Sequence, residues 1–161
     1  MKTAIFYASS HGTTAKTAEL IAQKLTNSQT QIFNLKKLKS VDLSDFDTVI
    51  IGGSIHAGRI QNAVKKFCEK NMVELLGKRI SLYLCCMNLP EQDAQFENAY
   101  PELLRKKAIS KKVIGGEFLF DKMNFFEKAI VRKVSKVNDT VSKLNYVKIQ
   151  ELVNEIENQN N

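Results

Sequence analysis

The sequence predicts an α/β fold in which a five-stranded parallel sheet carries helices on both faces. Three observations point there. Short apolar runs alternate with amphipathic segments along the whole chain. The strongest run, Thr48–Gly53 (TVIIGG), is almost continuously apolar, as strands buried on both faces are. At 161 residues the chain suits one sizeable core better than two.

The elements follow in order. Thr3–Tyr7 reads as a short strand. Thr14–Leu25 places Ala18, Ile21, Ala22 and Leu25 on one helical face. Gln31–Leu35 is a weaker strand, and Thr48–Gly53 is the third. Ile60, Val64, Phe67 and Cys68 mark a helix. Ile80–Cys86 is a fourth strand, Phe96–Lys107 a helix interrupted by Pro101, and Lys112–Leu119 a fifth strand. Helices are expected over Lys122–Val137 and Tyr146–Asn158, the second with Ile149, Leu152, Val153 and Ile156 on one face. No repeat or linker interrupts the pattern, so one domain is expected over 1–161, with frayed residues at 157–161.

Composition narrows the function classes. No apolar run approaches the roughly 18 residues of a membrane span, and the first residues lack a signal-peptide pattern, so a cytoplasmic protein is expected. The cysteines, Cys68, Cys85 and Cys86, form no C-x-x-C pair and no zinc spacing; no metal is expected, and they read as small buried hydrophobes. The net charge of +7 favours an anionic partner: nucleic acid, anionic lipid or an acidic protein. Nucleic acid is not expected, because no aromatic-and-basic platform or reading helix is evident.

In a parallel sheet of this kind ligands bind beyond the carboxyl ends of the strands. After the first strand comes Ser9-Ser10-His11-Gly12-Thr13-Thr14, directly before a helix. A helix N-terminus offers unpaired N–H groups and a partial positive charge. Gly12 lets the backbone approach a ligand, and Ser9, Ser10, Thr13 and Thr14 add hydroxyls. No Lys or Arg lies in the loop, so neutral donors are expected to hold a phosphate dianion. The competing reading is a plain Ser/Thr helix cap. G-x-G-x-x-G and G-x-x-x-x-G-K-[ST] are both absent, which argues against dinucleotide and nucleoside-triphosphate sites.

These residues resemble the flavodoxin superfamily, and within it the branch of menaquinone-dependent protoporphyrinogen dehydrogenases. The first loop is similar to the phosphate motif [ST]-x-[TD]-G-x-T, with Ser9, Gly12 and Thr14 in place and His11 at the third position. Gly52-Gly53-Ser54-Ile55-His56-Ala57-Gly58-Arg59 resembles that branch's G-[AG]-S-I-x-x-G loop. A helical insert at about 120–145, basic in character, is similar to the same branch.

The resemblance implies a flavodoxin-like fold and FMN as cofactor. It places Ser9, Ser10, His11, Gly12, Thr13 and Thr14 at the phosphate. Ser54, Ile55, His56, Ala57, Gly58, Met87, Asn88 and Leu89 are placed around the isoalloxazine. These loops offer no pair of aromatic rings to sandwich a flavin, which leans toward an enzyme. His56 and Arg59 are the candidate catalytic residues. Gly58 would turn a backbone group toward the flavin or serve as an ordinary turn glycine.

The implied function is a protoporphyrinogen dehydrogenase of heme biosynthesis with a quinone acceptor. The alternative is an electron-transfer flavodoxin that docks to redox proteins. On a helical wheel Met123, Phe126, Ile130, Val134 and Val137 form an apolar stripe, while Lys122, Lys128, Arg132, Lys133 and Lys136 cover a separate basic arc containing Phe125. Such a helix either lies on the inner face of an anionic membrane or packs its stripe into the core.

Overall fold

The computed structural model describes residues 1–56, 58–135 and 138–158, without the side chains of Val134 and Ser135. Strand β1 (Lys2–Tyr7) leads into helix α1 (Thr13–Lys24), then β2 (Gln29–Asn34) and β3 (Thr48–His56). A two-residue strand, β4 (Arg59–Ile60), folds back antiparallel on the end of β3. Helices α2 (Asn62–Lys70) and α3 (Met72–Leu76) precede β5 (Arg79–Cys85), and α4 (Gln92–Ala99) and α5 (Glu102–Lys107) precede β6 (Ser110–Gly115). Then come β7 (Glu117–Phe118), α6 (Phe125–Ser135), β8 (Val141–Ser142) and α7 (Tyr146–Asn158).

The five long strands are parallel, in the order β2-β1-β3-β5-β6. This is the flavodoxin-like arrangement, with strand order reversing at β1 and β3. The alternation of side chains along each strand sorts the core into two layers. Ala4, Phe6, Val49, Ile51, Leu82 and Leu84 face the layer that holds Val64, Leu75 and Leu104 from α2, α3 and α5. Ile5, Ile50 and Tyr83 face the layer of Ala18 and Ile21 from α1 and Ile149, Leu152 and Ile156 from α7. Register brings Tyr7 level with Gly52, and Gly52 level with Tyr83, so the loops after β1, β3 and β5 leave from one edge.

Four expectations change. Lys112–Leu119 is not one strand. Gly115 turns the chain with φ 77°, a Cβ there would run into the Lys143 carbonyl, and β7 pairs antiparallel with β8 instead of continuing the sheet. Phe96–Lys107 is two helices, because Tyr100 is extended ahead of Pro101. Ile60 sits in β4, and the helix starts after it. Lys122 lies in a 3-10 turn over Phe120–Lys122, and α6 begins at Phe125; the expected last residues of that helix, Lys136 and Val137, lie outside the described residues.

The segment from β7 to β8 therefore leaves the sheet at its ligand edge and returns there. Its return is fastened by Lys143 N–H to the Gly116 carbonyl and Asn145 N–H to the Ile114 carbonyl, both at 2.8 Å. The described side chains of the expected apolar stripe are mostly not buried against the chain. Met123 is, but Phe126 and Ile130 are 76% and 61% exposed, and Phe125 is 77% exposed. Among the described residues, no helix is long and apolar enough to cross a membrane.

Candidate functional site

The loop between β1 and α1 is built around Gly12. Its φ of 103° puts it in the left-handed region, where a side chain would be strained. Gly12 is also the N-cap of α1, and no side chain caps the helix. The plain Ser/Thr cap reading therefore gives way: the first amides of α1 are left without a side-chain acceptor. The Gly12 carbonyl takes the first helical bond, from Lys16 N–H at 2.9 Å. Ser9 Oγ accepts from Gly12 N–H at 2.9 Å, which leaves its own proton free to donate. Thr13 and Thr14 are buried and Ser10 is exposed. Thr14 Oγ1 lies near the Cys85 thiol, yet no hydrogen bond of good geometry satisfies it.

The core holds this loop from below. Tyr83, fully buried, sends its hydroxyl across the sheet to the Thr14 carbonyl at 3.1 Å. Burial pushes the Tyr83 phenol well above its ordinary pKa, so it stays a donor. The Tyr83 ring crosses β3 at Gly52, where any Cβ would overlap it.

The second loop is the β3–β4 hairpin. Ser54 N–H donates to Gln61 Oε1 at 2.8 Å, and the Gln61 amide returns a bond to Ser54 Oγ. Ile55 is half-buried opposite Ile60, while His56 and Arg59 are exposed partners across the turn. Gly58, at φ 76°, has open space around it; Ala57 lies outside the described residues. In the third loop Met87 is half-buried against Gly116, and Asn88 and Leu89 are exposed, with Asn88 Nδ2 on Glu91 Oε2 at 2.8 Å. Burial raises the thiol pKa of all three cysteines, Cys68 to about 12 and Cys85 to about 11, which fits inert core thiols.

Two side chains that the sequence does not place at the cofactor loops join them: Glu127, and Lys122 of the expected basic arc. Glu127 of α6 reaches His11 Nε2 at 3.2 Å and His56 Nε2 at 3.9 Å, and the two imidazoles lie 5.9 Å apart. It also accepts from Asn124 N–H at 2.9 Å, while Asn124 Oδ1 accepts from Glu127 N–H at 2.9 Å. That reciprocal pair is a capping box, and it starts α6. The Asn124 bond foremost, with the two histidines, holds the Glu127 carboxyl below its ordinary pKa. The second is Lys122: its Nζ stands 3.1 Å from where a Gly12 Cβ would be. Lys36 Nζ also approaches, 3.3 Å from Ser10 Oγ. The loop contains no cation in sequence, and folding brings the ammonium groups of Lys122 and Lys36 beside it. A signal was present, since Glu127 is the sole acidic residue between Lys122 and Val137 and forms N-x-x-E with Asn124.

A flavodoxin domain model matches residues 4–144. The chain belongs to the flavodoxin family. Among curated relatives it is 23% identical to the protoporphyrinogen IX dehydrogenase [quinone] of Escherichia coli K12, over 96% of this chain and 92% of that protein. Among solved structures it is similar to a Fusobacterium nucleatum flavodoxin bound to flavin mononucleotide, at 18% identity and TM-score 0.55, covering 98% of each chain. A short-chain flavodoxin associated with a non-canonical PDU bacterial microcompartment gives TM-score 0.63 at 13% identity, covering 100% of this chain and 99% of that one. The chain thus has the FMN-binding flavodoxin fold. The residues at its phosphate position fit that cofactor: a left-handed turn that favours glycine, uncapped helix amides, and a free hydroxyl proton on Ser9.

Proposed function

We propose that this flavodoxin-family protein is an FMN-dependent dehydrogenase of the protoporphyrinogen type. It would take electrons from a reduced tetrapyrrole and pass them to a quinone. FMN, when bound, supplies the electron-accepting chemistry. Gly12, Ser9 and the first amides of α1 bind its phosphate. The β3–β4 hairpin and the 87–89 loop border its ring. His56 and Arg59, exposed beside that ring position, handle protons and substrate carboxylates.

The observation that carries this reading is the surface of the β7–β8 segment. It presents Phe125, Phe126 and Ile130 outward, together with the cations Arg132 and Lys133, next to the loops. A surface that is both apolar and cationic suits a hydrophobic dianionic porphyrinogen and a quinone held in an anionic bilayer. Each Lys or Arg near such a bilayer contributes about 1 kcal/mol. We place the protein on the cytoplasmic side of the membrane, in peripheral contact through α6.

Two measurements test this. Anaerobic FMN-loaded protein is mixed with protoporphyrinogen, and reoxidation by a menaquinone analogue is followed by flavin absorbance. Reduction by the porphyrinogen and reoxidation by the quinone are expected. Failure of both, with rapid exchange to redox proteins, would leave the electron-carrier alternative. In flotation with phosphatidylglycerol vesicles, Lys128→Gln, Lys133→Gln and Lys136→Gln together should lower binding while FMN affinity stays unchanged.

A further inference from the structure

The phosphate of FMN carries close to two negative charges, and the β1–α1 loop itself supplies only neutral donors. A helix N-terminus offsets about half a charge. A cation beside the loop would add to that, and the fold brings one from a distant part of the sequence. Lys122 Nζ lies against the open side of Gly12, 3.1 Å from the missing Cβ. It makes no ion pair among the described residues, so its charge is not already spent on a carboxylate.

Its position is held from both sides. The 3-10 turn that carries it is anchored by the buried Phe120 and Met123. Phe120 N–H donates to Thr140 Oγ1 at 3.2 Å, and the Arg132 guanidinium lies over the Phe120 ring at 5.7 Å. Beyond the turn, Glu127 ties α6 to His11, the residue next to Gly12, and to His56 on the hairpin. The segment from β7 to β8 is therefore fastened to the phosphate loop at the point where Lys122 meets it.

We propose that Lys122 is a ligand of the FMN phosphate, and that Glu127 is the positioning residue that keeps it over Gly12. The inference rests on the FMN reading above and adds the cation that reading lacks. It makes the segment after β6 part of the cofactor site, in addition to any role toward substrate.

The test compares FMN with riboflavin, which lacks only the phosphate, by titrating full-length apoprotein and following quenching of flavin fluorescence. Lys122 is exposed, so Lys122→Gln should fold normally, with far-ultraviolet circular dichroism as the check. FMN affinity should fall about tenfold, the scale of one charge-assisted hydrogen bond. Riboflavin affinity should not move, and the dependence of FMN binding on salt should flatten. Lys122→Arg should restore most of the loss. Glu127→Gln should weaken FMN by a smaller factor and add nothing in the Lys122→Gln background. Lys36→Gln is run in parallel. Unchanged FMN affinity in Lys122→Gln, an equal loss for riboflavin, or a loss confined to Lys36→Gln would overturn the assignment. A wild-type protein that binds riboflavin as tightly as FMN would overturn the phosphate site as well.

Discussion

Replacing Gly12 with alanine tests the phosphate loop most directly. The residue sits at φ 103°, where an L side chain costs about 1–2 kcal/mol of backbone strain. In a chain of this size each kcal/mol lowers Tm by about 2–4 °C, so the apoprotein should melt about 2–8 °C lower. The new methyl would also press on Lys122 Nζ, but that is the end of a flexible side chain and will swing away. The larger effect falls on the ligand. If the α1 amides close on a phosphate, a loop that relaxes to relieve the strain forfeits one or more charge-assisted hydrogen bonds. That corresponds to about 10- to 100-fold in Kd at about 1.5–3 kcal/mol each. The assay is parallel titration with FMN and riboflavin, with thermal unfolding of the apoprotein alongside. Strain alone would weaken both flavins equally; a phosphate cradle weakens FMN selectively. Equal losses, or none, would refute the cradle and return the loop to the status of a helix start.

Removing the Tyr83 hydroxyl in Tyr83→Phe should cost about 1 kcal/mol, read by urea unfolding, because the bond to the Thr14 carbonyl is lost. Gly52→Ala should cost more, about 1–3 kcal/mol, since the methyl overlaps the ring of the fully buried Tyr83. Acid should loosen the anchorage of the β7–β8 segment. Burial works to raise the Glu117 carboxyl pKa, but Lys16 at 2.9 Å and Ser142 at 2.8 Å outweigh it, and the folded value lies below the ordinary 4.5. A depressed carboxyl contributes stability above its unfolded pKa and loses it as pH falls through the folded value. Stability should therefore drop below pH about 4.5, and Glu117→Gln should flatten that limb of the curve in thermal melts from pH 7 to pH 3.

The sheet was legible because its strands are dictated locally. Val49–Ile51 and Leu82–Leu84 are apolar on consecutive positions, and only a strand covered on both faces accommodates that. The phosphate loop could be placed for the same reason: it must follow β1, and Gly12 before Thr13 and Thr14 marks where the backbone turns into α1. The other participants were not local. Lys122 lies 110 positions from Gly12 and Glu127 lies 116 from His11, and the contacts depend on how β7 and β8 close. That closure hinges on Gly115 and on a two-residue pairing too short to leave a periodic signal. Lys112–Leu119 looked continuous because hydrophobicity does not register a glycine's sign of φ.

The α6 stripe shows where periodicity stops being informative. Apolar residues at helical spacing say that a face needs covering, not what covers it. Both faces of the sheet are already covered, by α1 and α7 on one side and by the α2–α5 helices on the other. An excursion beyond the ligand edge has no sheet face left to cover. Phe126 and Ile130 accordingly remain exposed, whereas Met123, in extended backbone just ahead of the helix, still reaches the body of the protein. The energetic consequence differs by several-fold between the two arrangements. A phenylalanine packed in a core costs about 3–5 kcal/mol when cut to alanine. One that faces solvent costs within about 0.5 kcal/mol. Phe126→Ala with Ile130→Ala should therefore leave urea unfolding of the apoprotein nearly unchanged, while Met123→Ala lowers its stability measurably. If the Phe126 and Ile130 pair instead destabilised the chain by several kcal/mol, α6 would be a core helix in solution, and its apolar face would be unavailable to porphyrinogen, quinone or lipid.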